Sequence, residues 1–406
     1  MPLVNDMDLP ELPVEQAAFA ADPMRYVDAA RLKHPWLAKF HAGYVVHGYQ
    51  AVKDLLYMDD KMRVNFDGIV EYFGAQGTDW GRFMESMLPT QSGAKHKRLR
   101  ASVAQAFTPR RANQTRPLMQ QVIWQLLDEW APRGQFDFAE FASYFPVAVM
   151  CGLLGVSSEP IRGIRDALET QVAAMSLNKD LLPHLLAGYD DLWGFADSLV
   201  LERETSGAAQ DGSLIEALIA SKNAGSLDET ELRFMLMVLL LAGYDTSKNV
   251  LTLTMHTMLK HPDMWRRCAA DQAYCAKAVE EILRHSAITT PYRLLTQDID
   301  YQGITFPEGI ILCFATPLAG RDPSVFPDAM AFKPDRVQAT PHLAFGRGMH
   351  ICLGQFLAKA QLEEGLHLIA KRLRSPRLAG EVTWRPFLGA WGLRTLPIAF
   401  EAARGV

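Results

Sequence analysis

The sequence predicts a mainly α-helical fold with small β-sheets (α+β), and three observations carry that expectation. Apolar residues recur at helical spacing through most of the stretch from Pro13 to His285. The most apolar run, Phe234 to Gly243, lies inside one long helical pattern. Alternating, turn-bounded segments appear only later, from Ile299 to Phe314 and again from Val382 to Phe400. Taken in order, residues 1–20 are expected to form an extended N-terminal segment, since Met1 to Glu15 carries Asp6, Asp8, Glu11 and several prolines. Helices then follow one another, broken by turn clusters at Gly43, Asp67-Gly68, Gly74 to Gly77, Pro132 to Gly134 and Ser206 to Gly212. The long helix is predicted to start at a capping box, Ser226 with Glu229, and to run toward Lys260 until His261-Pro262 stops it. The run Ile299 to Gly309, followed by Ile310 to Phe314, reads as short strands around turns, and an amphipathic helix begins near Gln355. There is no internal repeat and no linker rich in Gly, Ser or Pro, so residues 1–406 are expected to be a single domain.

Composition narrows the function classes. With 49% apolar and 21% charged residues the chain is of ordinary globular type, which excludes disorder and collagen-like repeats. A net charge of −5 argues against nucleic acid or an anionic membrane surface as the main partner. Five cysteines with no C-x-x-C pair indicate neither a disulfide framework nor a zinc ribbon, and a reducing cytoplasm fits them best. The acidic N-terminus does not read as a secretory signal. The apolar run between Arg233 and Asp245 falls short of the roughly 18–20 residues needed to cross a bilayer, so no membrane anchor is expected.

The segment Phe345-Gly346-Arg347-Gly348-Met349-His350-Ile351-Cys352-Leu353-Gly354 carries the chemistry. Its glycines permit positive φ and a close approach of backbone to something flat and large. Cys352 lies at the entrance of a helix, where amides and the helix dipole favour a thiolate, and a soft anionic sulfur held there suits iron. Phe345 is placed to shield it. The F-G-x-G-x-H-x-C-x-G pattern resembles the haem-binding loop of the cytochrome P-450 superfamily, the haem-thiolate monooxygenases, in a form similar to their soluble bacterial members. The resemblance implies that fold, with a long central helix over a buried haem, and Cys352 as the iron ligand. No C-x-x-C-H is present for covalent attachment, so the expected cofactor is haem b.

Other segments match once that resemblance is accepted. Glu281 and Arg284 share a helix face and look like the family's E-x-x-R, with Arg336 in Phe332-Lys333-Pro334-Asp335-Arg336 as third member of a network that braces the cysteine loop. Taken alone, such a pair is most often a solvated surface pair. The centre of the long helix, Leu241-Ala242-Gly243-Tyr244-Asp245-Thr246-Ser247, sets a glycine, an acid and hydroxyls in an apolar helix, which is unfavourable unless something offsets it. In the family this segment opens locally beside the haem. The resemblance implies that Thr246 hydrogen-bonds dioxygen and that Asp245 relays protons. His96, Arg100, Arg293 and His350 are the implied partners of the haem propionates, and Gly354 closes the loop. The turn before His96 lacks the P-P-E common among bacterial members, whereas Arg321-Asp322-Pro323 and Phe326-Pro327 match the family's meander.

The implied reaction is insertion of one oxygen atom of O2 into a C–H bond of a lipophilic small molecule. Electrons must come from a separate ferredoxin or flavodoxin and its reductase. Between Ser86 and Leu127 stand Lys95, Lys97, Arg98, Arg100, Arg110, Arg111 and Arg116 with no acid, and Arg347 and Lys359 lie near the cysteine. Together they form an expected docking face for an acidic carrier. By family position the substrate pocket draws on Phe73, Phe83, Met87, Leu239, Ala242, Ile288, Thr289, Phe387 and Trp391, although aromatic and Met stripes are more often simple core. Two competing functions remain at this stage. One is a peroxide-driven peroxygenase, which has less need of Asp245 and Thr246. The other is a noncatalytic haem carrier or sensor, which needs neither.

Overall fold

A computed structural model describes residues 1–157, 161–205, 212–337 and 340–403 of the chain, so the expected turn from Ser206 to Gly212 lies, Gly212 aside, outside the described residues. The chain packs as two compact units, neither a continuous stretch. The first comprises Met1–Asn65, Ala276–Cys352 and Thr383–Arg394, and the second comprises Phe66–Cys275, Leu353–Val382 and Thr395–Val406.

The first unit is built on a five-stranded sheet in the order Leu37–Phe40, Gly43–Val46, Ile311–Phe314, Tyr292–Leu295, Met62–Arg63. Leu37–Phe40 and Gly43–Val46 form a hairpin, Tyr44 pairs in parallel with Leu312, and Arg293 pairs antiparallel with the same Leu312. This hairpin sits where helical spacing was expected. Leu37, Ala38, Val45 and Val46 are all buried, and a short strand buried on both faces shows no alternation to read. The Ile299–Tyr301 and Ile304–Phe306 strands pair as expected, through Gln302 and Gly303 at φ 47 and 82, the conformation a tight hairpin turn needs. Val46, Tyr49, Val52, Leu55, Phe306 and Phe314 fill the core beneath the sheet. The first twenty residues are mostly irregular but pinned. Leu3 bridges Thr305, Glu11 bridges Lys39, and a short helix, Ala17–Ala21, begins before the expected end of the segment.

The second unit is helical around Glu229–Met258. The start of that helix corrects the sequence reading: the capping box is Asp228 with Glu231, the Glu231 amide donating to Asp228 Oδ1 at 2.7 Å and the Asp228 amide to Glu231 Oε2 at 3.2 Å. Ser226 cannot serve because its amide closes the preceding helix, Leu214–Asn223, by donating to the Ser221 carbonyl at 2.8 Å. Asp67-Gly68, expected as a turn, instead lies inside the helix Phe66–Phe73. Phe66, Ile69, Val70 and Phe73 fall on one face there, which outweighs the roughly 1 kcal/mol cost of a helical glycine. Glu229–Met258 packs against Phe138–Leu154 and Gln355–Arg372, and Gly243 admits Met150, whose Cε would stand 2.8 Å from an added Cβ. Among the described residues it alone is long and apolar enough to cross a membrane, and 78% of its most apolar stretch is buried within the protein. A three-stranded sheet, Leu373–Leu378, Pro397–Ala402 and Gln135–Asp137, completes this unit.

Candidate active site

The cysteine loop belongs to the first unit as far as Cys352. Gly346 and Gly348 take φ 66 and 69, the left-handed region that costs other residues most. The chain folds back on itself: the Cys352 amide donates to the Phe345 carbonyl at 2.9 Å and the Gly346 amide to Leu343 at 2.9 Å. Cys352 is partly exposed, whereas Cys151, Cys268, Cys275 and Cys313 are buried. Burial pushes the thiols of Cys151 and Cys313 up to about 12, which keeps them protonated and inert. Phe345 and His350 are partly exposed within the same loop, and Gly354 precedes the helix Gln355–Arg372.

Two sets of contacts in the first unit hold this loop and the chain leading to it. In the helix Gln272–His285, Arg284 donates to both oxygens of Glu281 at 2.9 and 2.7 Å, and both side chains are buried. Arg336 Nε reaches Glu281 Oε1 at 3.3 Å and the Lys333 amide reaches it at 2.9 Å, while Arg284 also donates to the carbonyls of Gly320, Ala329 and Ala331. The second set comes from the helix Tyr49–Leu55 and the turn after it. Tyr49 donates to the Pro341 carbonyl at 2.7 Å, the Arg347 guanidinium lies 4.9 Å from the Tyr57 ring centroid, and the Asp59 carboxylate accepts from the Met349 amide. Sequence reasoning missed Tyr49 and Asp59. They lie some 290 residues from the loop, and no local pattern marks such a contact.

Arg293 is buried on its strand, where its Nη1 donates to the Tyr292 carbonyl at 2.9 Å. Burial lowers its pKa below the usual guanidinium value, and the charge of Asp59 acts the other way. Thr289 is partly exposed and tied to Thr316, whose hydroxyl donates to the Thr289 carbonyl at 2.7 Å. The neighbouring pocket candidates in this unit are core side chains. Ile288, Phe387 and Trp391 are buried, Trp391 stacks on Trp384 at 5.3 Å and donates to the Ala20 carbonyl, and Phe387 meets Phe19 edge to face.

In the second unit, His96 and Arg100 stand one turn apart on the helix Gly93–Ala104, so they share a face; His96 is buried and Arg100 partly exposed. On the long helix Asp245 is only 4% exposed, and Asn249 Nδ2 donates to its Oδ1 at 3.0 Å. Thr246 is partly exposed and donates to the Ala242 carbonyl at 2.8 Å. The expected local opening of the helix is not seen, because its polar groups are satisfied within the helix, Asp245 by Asn249 and Thr246 by the Ala242 carbonyl. The segment stays α-helical, but Ala242, Gly243 and Thr246 keep an accessible face in a helix whose other central residues are mostly buried. A cluster not anticipated from sequence lies next to it: buried Lys248 places Nζ 2.5 Å from Glu169 Oε2, to which the Tyr244 hydroxyl donates at 2.6 Å. Among the pocket candidates of this unit, Ala242 is exposed whereas Phe73, Phe83, Met87 and Leu239 are buried, Phe83 against Tyr189 and Phe234 and Phe73 against Trp80.

The basic stretch is smaller in space than in sequence. Arg98 forms a bidentate pair with Glu231 at 2.7 and 2.6 Å, Arg116 spans Glu363 and Glu364 at 2.6 and 2.7 Å, and Arg111 donates to the Gly212 carbonyl. Lys95, Lys97 and Arg110 are exposed, as is Arg98 despite its pairing with Glu231.

Comparison with known proteins agrees with this geometry. The cytochrome P450 family model matches residues 186–376. Luteothin monooxygenase of Streptomyces thioluteus is 34% identical over 401 residues, covering 98% of this chain and 97% of that protein. The 6-deoxyerythronolide B hydroxylase of Saccharopolyspora erythraea is 31% identical, covering 88% and 90%. Among solved structures, P450BioI in complex with an acyl carrier protein ligated to hexadec-9Z-enoic acid superposes with a TM-score of 0.84 at 25% identity, covering 95% of this chain and 100% of that one. The chain belongs to the cytochrome P450 family, a class of haem-dependent monooxygenases of bacterial type here. Its residues fit the group that the family carries. Within the first unit, Arg293 is a buried guanidinium suited to a carboxylate, and the cysteine loop presents one accessible thiol.

Proposed function

We propose that the enzyme hydroxylates a C–H bond of a lipophilic small molecule, with Cys352 as the axial thiolate of a b-type haem and with electrons from a separate ferredoxin system in the cytoplasm. The observation that carries this reading is that Cys352 is the one cysteine of five that is accessible, at the end of a loop turned by two left-handed glycines. When bound, the haem supplies dioxygen activation, which an electron-rich thiolate favours. The chain's own residues do the rest. Arg293, His350, His96 and Arg100 bind the propionates, Phe345 and Gly354 shape the surroundings of the sulfur, and Glu281, Arg284 and Arg336 keep the loop in place. Asp245 and Thr246 move protons: a buried carboxylate oriented by Asn249 and a hydroxyl on the accessible face are suited to passing them inward one at a time. That pair favours the monooxygenase reading over a peroxide-driven enzyme or a passive carrier. Thr289 and Ala242 are the accessible members of the proposed substrate pocket. Relatives named for 6-deoxyerythronolide B and crystallised with a fatty acyl chain support a lipophilic substrate.

The test is the carbonyl adduct of the reduced protein. A thiolate-type Soret band, lost in Cys352→Ser and replaced by an imidazole-type band in Cys352→His, is expected. An imidazole-type band in the unsubstituted protein, or a colourless protein after haem supplementation, ends the reading.

A further inference from the structure

Asp59 brings together three observations, all within the first unit. Its carboxylate accepts the Met349 amide, at the turn that Gly348 opens four residues before Cys352. It packs so closely on Gly348 that a Cβ there would overlap the carboxylate and stand 2.7 Å from the Leu56 carbonyl oxygen. It also sets a negative charge against the buried Arg293 guanidinium. The other contacts of the same arm are of a different kind, a hydroxyl on a carbonyl at Tyr49 and a cation over a ring at Tyr57. Asp59 alone of these brings a formal charge to the loop backbone.

We propose that Asp59 is a positioning and charge-setting residue of the haem site, holding the Gly348–Met349 turn through its carboxylate and offsetting Arg293, so that it lowers the reduction potential of the iron. This rests on the reading of Cys352 as the ligand. A carboxylate accepting a backbone amide makes a charge-assisted bond, stronger than the carbonyl contacts that close the rest of the loop. A fixed negative charge near the centre favours the more positive oxidised state, and in a site of low effective dielectric its removal is felt over several ångströms.

Two substitutions separate the two roles. Asp59→Asn keeps an oxygen acceptor for Met349 and removes the charge, whereas Asp59→Ala removes both. In the holoenzyme, spectroelectrochemical titration of Asp59→Asn is expected to give about a tenfold larger equilibrium constant for one-electron reduction, about 59 mV to the positive side. Its carbonyl spectrum stays that of the parent, because the loop is still held. In Asp59→Ala the same shift is joined by faster hydrogen exchange across residues 345–352 and partial loss of the thiolate-type band. The neighbouring exposed acid is the control, and Asp60→Asn should leave the potential within twofold of the parent. An unchanged potential in Asp59→Asn, whatever the exchange shows, overturns the proposal, as does an equal shift in Asp60→Asn. If the parent protein shows no thiolate-type band, the assignment of Cys352 fails. Exchange in Asp59→Ala then still reports on the bracing of the loop.

Discussion

Replacing Glu281 by Ala leaves Arg284 and Arg336 without the carboxylate they share. In the structure that carboxylate accepts four donors: Arg284 twice, Arg336, and the Lys333 amide. Arg284 is fully buried and keeps only backbone carbonyls as partners once Glu281 is gone. Stranding a buried charge in this way costs about 3–5 kcal/mol. Unfolding entropy scales at about 2.1 cal/mol/K per residue, so a cooperative transition of all 406 residues would lose about 4–6 °C in Tm. Urea unfolding followed by far-ultraviolet circular dichroism measures the loss, and the double variant Glu281→Leu/Arg284→Leu supplies the control. It should be less destabilised than Glu281→Ala, because no unpaired Arg284 remains. A loss below about 1 kcal/mol for Glu281→Ala is what a solvated surface pair gives, and it would refute the view that this network is a buried brace.

Four further outcomes follow from the same geometry. Burial, then the neighbouring Arg31 charge, pushes the His47 imidazole down to about 3, so the unfolded chain takes up a proton that the folded chain refuses between about pH 6.5 and 3. Stability should therefore fall with acidification by about 1.4 kcal/mol per pH unit for this group, and His47→Gln should flatten the slope of urea midpoints from pH 6 to 4.5; an unchanged slope refutes it. Thr246→Ala should leave electron consumption running while product formation drops several-fold, measured as the ratio of product to reductant consumed, and an unaltered ratio removes Thr246 from proton delivery. Gly348→Ala should cost about 1–3 kcal/mol from the left-handed φ alone, with reduced haem incorporation read by absorbance; full incorporation would show that the close approach is dispensable. Reduction by an acidic ferredoxin should slow as ionic strength rises and slow again in Lys95→Gln/Lys97→Gln, whereas Arg98→Gln should act mainly through stability, since Arg98 is paired with Glu231.

What the sequence made legible was local. The cysteine loop and the Ile299–Phe306 hairpin are each written in a dozen residues or fewer of turn chemistry, the long helix in one continuous stretch of helical periodicity, and the structure has all three. The family match and the relatives agree with the mainly helical class. Errors arose where two local signals overlapped or where a distant segment decided. Ser226 and Asp228 both begin a cap pattern, and the preceding helix had already taken the Ser226 amide. A glycine after an aspartate looked like a turn until four apolar residues at helical spacing outweighed it. Asp59 could not be found from its neighbours, because what makes it matter is a loop nearly three hundred residues later.

The charge pattern shows why this limit is physical. Seven cations from Lys95 to Arg116 with no acid among them read as one positive face. Yet a long run of like charge on packed helices is costly unless something offsets it, and a folded chain can bring the offset from any segment. Here Glu231, Glu363 and Glu364 do so, and they hold Arg98 and Arg116 in bidentate or double pairs that fasten helices together. Arginine, with its fixed fork, is the residue drawn into such pairs, and both exposed lysines of the run stay at the surface. The surface available to a partner is therefore set by which cations stay exposed and outside such close pairs. That shifts the expected docking charge toward Lys95, Lys97 and Arg110, and turns two of the arginines from recognition to stability.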